Sequence, residues 1–260
     1  MALHPEIEKA LSGADAETIR RHEQLEQKGG NSGNLLRQIV LGGQDGLVNV
    51  LGILLGVAAA TADAYVVIVA GLAATFAESL SMAAVAYTST RAAQDHYRSE
   101  YEKEEREIIE LPDVERKEVE LIYYKKGFRG KELSALVRKI TSNKALWLDT
   151  MMKEELGLYE SESLNPANEA IVVGAASFAG SFLPILPFLF LSVPLAVPIS
   201  VVFSLAILFA AGAYKAKVTT GIWWKSGFEM LLIGGLAAIS GYAVGAAIKV
   251  LMPAAAVAGA

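Results

Sequence analysis

Two acidic residues stand where acids are costly. Asp45 and Glu78 each lie within a long apolar run of the chain. Asn49 follows Asp45 by four residues and Met82 follows Glu78 by four, so at helical spacing each pair shares one face. A carboxylate, an amide, a second carboxylate and a thioether offered to one interface form a ligand set for a divalent cation. Oxygen ligands suit hard cations, while a thioether adds affinity for softer ones such as Fe²⁺ and disfavours Mg²⁺ or Ca²⁺. The competing reading is a protonated acid hydrogen-bonded inside a helical bundle. Two acids on neighbouring apolar helices are costly without a use, which favours the metal.

A second group lies in the charged middle of the chain. Glu104 and Glu107 are three apart, as are Glu115 and Glu118, so each pair shares a helix face. Met151, Met152 and Glu155 form another cluster, with Met151 and Glu155 one turn apart. Taken singly, a Glu-rich helix reads as a solvated face and paired methionines read as core. No histidine is near enough in sequence to complete the Glu-x-x-His pattern of ferritin-like di-iron sites, and His96 stands alone. The chain has no cysteine, which excludes disulfides, zinc thiolate sites and iron–sulfur clusters. No basic run suggests nucleic-acid binding, and no prosthetic group is expected.

These residues need elements to carry them. Residues 170–214 contain no Asp, Glu, Lys or Arg, and these 45 residues are enough for two membrane crossings. Lipid cannot hydrogen-bond a backbone, so the spans should be helices. The predicted architecture is all-α: a polytopic membrane protein of five transmembrane helices with an inserted cytoplasmic helical domain. Residues 1–34 read as a polar cytoplasmic tail, with a short surface helix at 14–27, a flexible joint at Gly29–Asn34 and no cleavable signal peptide. Residues 35–90 hold spans one and two, joined by a tight turn at Thr61–Ala64. Residues 91–169 form the insert, 170–252 hold spans three to five, and 253–260 are a C-terminal tail. Within the insert, residues 91–110 continue the second span, Pro112 opens a helix ending near Gly127, Gly130–Ile140 forms another, and Ser142 caps a last one that ends at Gly157. Glycine pairs four apart (Gly42 and Gly46, Gly52 and Gly56, Gly241 and Gly245) read as packing surfaces.

Orientation follows from Lys and Arg. The tail to Arg37 carries 5, the insert 14, and the link between spans four and five has Lys215, Lys217 and Lys225. Five spans put all three segments on one side, leaving only Lys249 apart, and the positive-inside tendency makes that side cytoplasmic.

Asp45-Gly46-Leu47, Glu78 through Ser81-Met82, and Trp147-Leu148-Asp149-x-Met151-Met152-x-x-Glu155-Leu156-Gly157-Leu158 together resemble the vacuolar iron transporter family, in its branch with a cytoplasmic metal-binding domain. The resemblance spans about residues 35–252. It implies a homodimer with five spans per subunit and a path at the dimer interface between the first two spans. It also implies export of Fe²⁺, and of other divalent metals such as Mn²⁺, from the cytosol in exchange for protons. Asp45 and Met82 would then be pathway ligands. Glu104, Glu107, Glu115, Glu118, Met151, Met152 and Glu155 would be ligands of the cytoplasmic domain. Some relatives carry the acid of the second span one turn earlier, where this chain has Ala74; here Glu78 is expected to take that part. The resemblance implies a cell membrane in a prokaryote and a vacuolar membrane in a eukaryote. A membrane-anchored di-iron oxidase and a metal sensor are the alternatives.

Overall fold

A computed structural model describes residues 13–159, 165–219 and 221–251; the expected C-terminal tail lies outside them. The described residues form helices and no strands. In chain order these are α1 (Gly13–Thr61), α2 (Ala64–Glu110), α3 (Pro112–Lys125), α4 (Gly130–Thr141) and α5 (Lys144–Thr150). A π-helical turn (Met151–Glu155) follows, then α6 (Pro166–Phe182), a 3₁₀ turn (Leu183–Ile185), α7 (Leu186–Phe190), α8 (Val193–Thr219) and α9 (Trp223–Leu251). Five segments are long and apolar enough to cross a bilayer: Leu35–Thr61, Ala64–Glu110, Pro166–Phe190, Val193–Val218 and Trp223–Leu251. The chain is thus an all-α polytopic membrane protein.

Two compact units divide the fold. One comprises residues 1–86 and 169–260, the other Tyr87–Asn168. In the membrane unit α1 is central. Its Val50 and Leu54 pack with Val67 of α2, Ile185, and Phe188 of α7. Its Leu47 meets Leu208 of α8 and Met230 of α9, and Leu51 and Leu55 meet Ala238 of α9. The glycines bring backbones together. A Cβ on Gly241 would collide with the Gly52 carbonyl, and one on Gly245 with the Gly56 carbonyl. A Cβ on Gly42 would lie 2.5 Å from the Val173 carbonyl of α6. Gly241→Leu must therefore separate α9 from α1, and overpacking of this kind costs about 1–3 kcal/mol. A lower unfolding temperature of the purified protein in a thermal scan is the expected result.

The turn between α1 and α2 is tight because Ala62 adopts a left-handed φ of 55° and Asp63 caps α2, its Oδ1 accepting from the Tyr65 amide at 2.8 Å. Around the third crossing, Pro184 and Pro187 replace α-helical continuity with the 3₁₀ turn and short α7. Ser200 of α8 donates to the Pro184 carbonyl at 2.7 Å.

Two local expectations fail. The Gly29–Asn34 segment is no joint, since α1 runs through it without a break from Gly13. Propagating an established helix costs little per residue, and glycine propensity is a weak opponent of it. The last helix of the insert is capped by Asn143, not Ser142. Asn143 is extended (φ −126°, ψ 111°) and its side chain accepts from the Leu146 amide at 3.2 Å. Ser142 instead closes α4, donating from Oγ to the Lys139 carbonyl at 2.8 Å.

The inserted unit has its own core. Ile108, Val119, Leu133, Val137, Ile140, Trp147, Leu148, Met151 and Met152 are buried together. Leu111 precedes Pro112, which cannot continue α2 but suits the first turn of α3. Gly157, at φ +65°, terminates the π turn.

Candidate metal sites

The membrane pair comes together as the spacing suggested. Asn49 Nδ2 donates to Glu78 Oε1 at 3.1 Å across α1 and α2. The Asp45 carboxyl lies within hydrogen-bonding reach of Glu78. Antiparallel helices of equal rise keep the sum of paired residue numbers constant, so the Asn49–Glu78 pairing sets Asp45 level with Met82, one turn along. Asp45, Glu78 and Met82 are half-buried and Asn49 is exposed. Two carboxylates, one amide and one thioether thus occupy two adjacent layers of one helix–helix face.

Two serines add a feature that the sequence reading passed over. Ser177 and Ser181 of α6 are fully buried against Gly46, and neither hydroxyl has a hydrogen-bond partner. Thr75 of α2 donates to the Gly71 carbonyl at 2.9 Å and reaches the Ser181 carbonyl at 3.4 Å. The available signal was two serines four apart in a span without charge. Gly46 is thereby explained: any side chain there would displace these hydroxyls.

In the inserted unit, oxygens of Glu104, Glu107 and Glu115 lie within 4.8 Å of one another. Glu104 and Glu107 come from α2 and Glu115 from the first turn of α3, so the break at Leu111–Pro112 brings Glu115 onto the first acidic pair. Glu104 and Glu115 are buried, at 3% and 4% exposure, and Oε2 of Glu115 has no hydrogen-bond partner. Such burial of acids without partners is rare unless a cation is to be supplied. Burial raises the Glu104 carboxyl to about 7; Glu155, Glu107 and Glu118 reinforce this and Lys103 opposes it. Burial likewise raises Glu115 to about 7, with Glu118, Glu104, Glu155 and Glu107 adding to it. Glu155, at the rim, is raised by partial burial of its carboxyl and then by Glu118. Five carboxylates therefore share one field. Lys103, 3.7 Å from Glu107, is a nearby countercharge.

Met151 and Met152 are fully buried, in the core that also holds Ile108 and Val119, the neighbours of Glu107 and Glu118. They sit on the π turn, in which the Leu156 amide bonds the Met151 carbonyl at 3.2 Å. A π turn fits one more residue per turn than an α-helix, so both methionines face inward while Glu155 stays at the rim. No spacing argument anticipated this turn. Among the described residues, Glu104, Glu107 and Glu115 are the one group of three or more ionisable ligand side chains close enough to hold an ion.

The sequence model of the VIT family matches residues 36–246. The chain belongs to this family. Among its relatives, Vacuolar iron transporter 1 of Arabidopsis thaliana is 32% identical over 81% of this chain and 85% of its own length. Vacuolar iron transporter 2 of Oryza sativa subsp. japonica is 32% identical over 84% of this chain and 89% of its own. Vacuolar iron transporter 1 of the same plant is 30% identical over 91% and 94% respectively.

Both acidic groups of this VIT-family chain fall within the matched residues. Its second-span acid, one turn after Ala74, is the one that meets Asn49. An acid at position 74 would sit about 6 Å further along α2, level with Ile53 and out of reach of Asn49.

Proposed function

We propose that this protein carries Fe²⁺, and also Mn²⁺, out of the cytosol in exchange for protons. The observation that carries the reading is the Asp45–Asn49–Glu78 cluster between the first two spans of a chain whose relatives are named vacuolar iron transporters. Those names describe transporters rather than enzymes.

Charge balance supports exchange. An empty Asp45–Glu78 pair carries two negative charges, and moving these through hydrocarbon is costly. One divalent cation neutralises the pair, and so do two protons. Both loaded forms can reorient while the empty form is held back, which couples two protons to each metal per pair. Met82, one turn away, biases the site toward the softer Fe²⁺ over Mg²⁺ or Ca²⁺. The inserted unit, with Glu104, Glu107, Glu115, Glu118, Met151, Met152 and Glu155, collects metal on the cytoplasmic side and raises its local concentration.

The distribution of Lys and Arg supports that orientation. The exposure of Asn49, with the exposed apolar Ile53 one turn along the same face of α1, supports a homodimer that covers this face. A polar cluster left facing lipid would lack partners. The relatives' names support the membrane of a vacuole-like compartment.

The test is Fe²⁺ flux into proteoliposomes with a pH-sensitive dye inside. Metal entry accompanied by metal-dependent loss of internal protons is expected. Metal binding without flux would overturn the transport reading in favour of a sensor.

A further inference from the structure

The cavity between α1, α6 and α8 is separate from both acidic groups. Its volume is about 530 Å³, and its lining includes Leu36, Val40, Leu47, Ala179, Leu183 and Tyr214. Among the lining side chains only Gln44 and Tyr214 carry polar atoms. From Leu35 to Leu47 the α1 wall covers about 18 Å at helical rise, close to one leaflet of a hydrocarbon core of about 30 Å. One end is marked by the first residues of the α1 crossing and the last of α8. There Tyr214 is exposed, as expected of a ring at the headgroup level.

That end is cationic. Arg37 follows the lining residues Leu35 and Leu36, and Lys215 lies one turn beyond the lining residue Ala211, on the same face of α8. Lys217 follows three residues after Tyr214. All three are exposed. Glu169, the acid that opens α6, accepts a hydrogen bond from Gln38 at 2.8 Å. An apolar slot one leaflet deep, ending in three cations at the interface, matches a diacyl lipid with a negative headgroup. Basic sites between transmembrane helices bind such lipids.

We propose that this groove holds an acyl chain of an anionic phospholipid whose phosphate is bound by Arg37, Lys215 and Lys217. The chain fills a volume that would otherwise lack contacts, and the three cations select charge over shape. The site depends neither on metal nor on the transport reading.

Native mass spectrometry of the intact, delipidated protein provides the test. Phosphatidylglycerol and phosphatidylcholine with identical acyl chains are titrated separately. Preferential retention of phosphatidylglycerol is expected. The variant R37Q/K215Q/K217Q should lose that preference by about fivefold for each charge removed. Ala211→Phe, which plugs the groove, should lower retention of both lipids; Ala179→Phe, at an exposed lining position, serves if that variant does not fold. Equal retention of the two lipids by the unmodified protein would overturn the proposal, as would an unchanged preference in the triple variant. So would a plug that shifts the assembly from dimer to monomer without altering lipid retention, because the groove would then seat a second copy.

Discussion

Proteoliposomes carrying Asp45→Asn are expected to lose both metal-driven proton movement and Fe²⁺ entry, by about a hundredfold or more. The substitution keeps the size of the side chain and removes one of the two charges that neutralise the cation. Leaving a charge in a low-dielectric setting without its partner is worth about 3–5 kcal/mol, which is two or more powers of ten in occupancy. Glu78→Gln should behave alike, because Asn49 holds that carboxyl beside Asp45. The two variants separate the membrane site from the inserted unit, whose metal binding should persist in both. Normal coupled flux in both variants would sink the exchange mechanism.

The second large effect concerns the acids of the inserted unit. Glu104 and Glu115 are raised from 4.5 to about 7, so between these values the folded protein holds protons that the unfolded chain has released. Stability then falls as pH rises through that window and is lowest above about pH 7. The unit without metal should therefore be more stable at pH 5.5 than at pH 8, by on the order of a few kcal/mol for the coupled group. Metal reverses the sign, since a bound cation favours the charged form, and its affinity should drop steeply on acidification through pH 7. Glu115→Gln removes one repelling charge. It should raise the apo unfolding temperature at pH 8 while weakening Mn²⁺ binding about tenfold or more. Calorimetric titration of Mn²⁺ and thermal scans of the intact protein at pH 5.5 and 8 read both. Flat apo stability across that range, or unaltered Mn²⁺ affinity in the variant, would rule out this acidic cluster as the metal site.

Much of this fold is legible in the sequence because hydrocarbon imposes so simple a rule. The charge-free stretch from 170 to 214 and the abrupt onset of charge after residue 90 mark the crossings without any structure. Pro112 and Gly157 mark helix ends within the insert for equally local reasons. What spacing could not supply was convergence. Glu104, Glu107 and Glu115 come within reach of one ion only because the helix breaks at Leu111–Pro112, and nothing in either acidic pair alone tells a ligand set from a wet face. Their assignment as ligands came from family resemblance, and burial supplies its physical ground. The π turn was hidden because the Met151–Glu155 stretch is an ordinary helical sequence; tertiary packing of both methionines selects the wider turn. Asn143 and Ser142 are adjacent and equally good cap formers, so the choice rested on where α4 stops.

Glycine contacts also govern what can move. Where Gly52 and Gly56 meet Gly241 and Gly245, and Gly43 meets Gly180, main chains touch with no side chain between them. Such surfaces cannot slide by a fraction of a turn without collision, because nothing compressible separates them. α1, α6 and α9 are therefore locked in register by these contacts. α2 meets α1 mainly through side chains, such as Val67 packed on Val50 and Leu54, and these can change rotamer. On the transport reading, access to the Asp45–Glu78 pair must open through side chains at the α1–α2 seam, around a stator built of glycine.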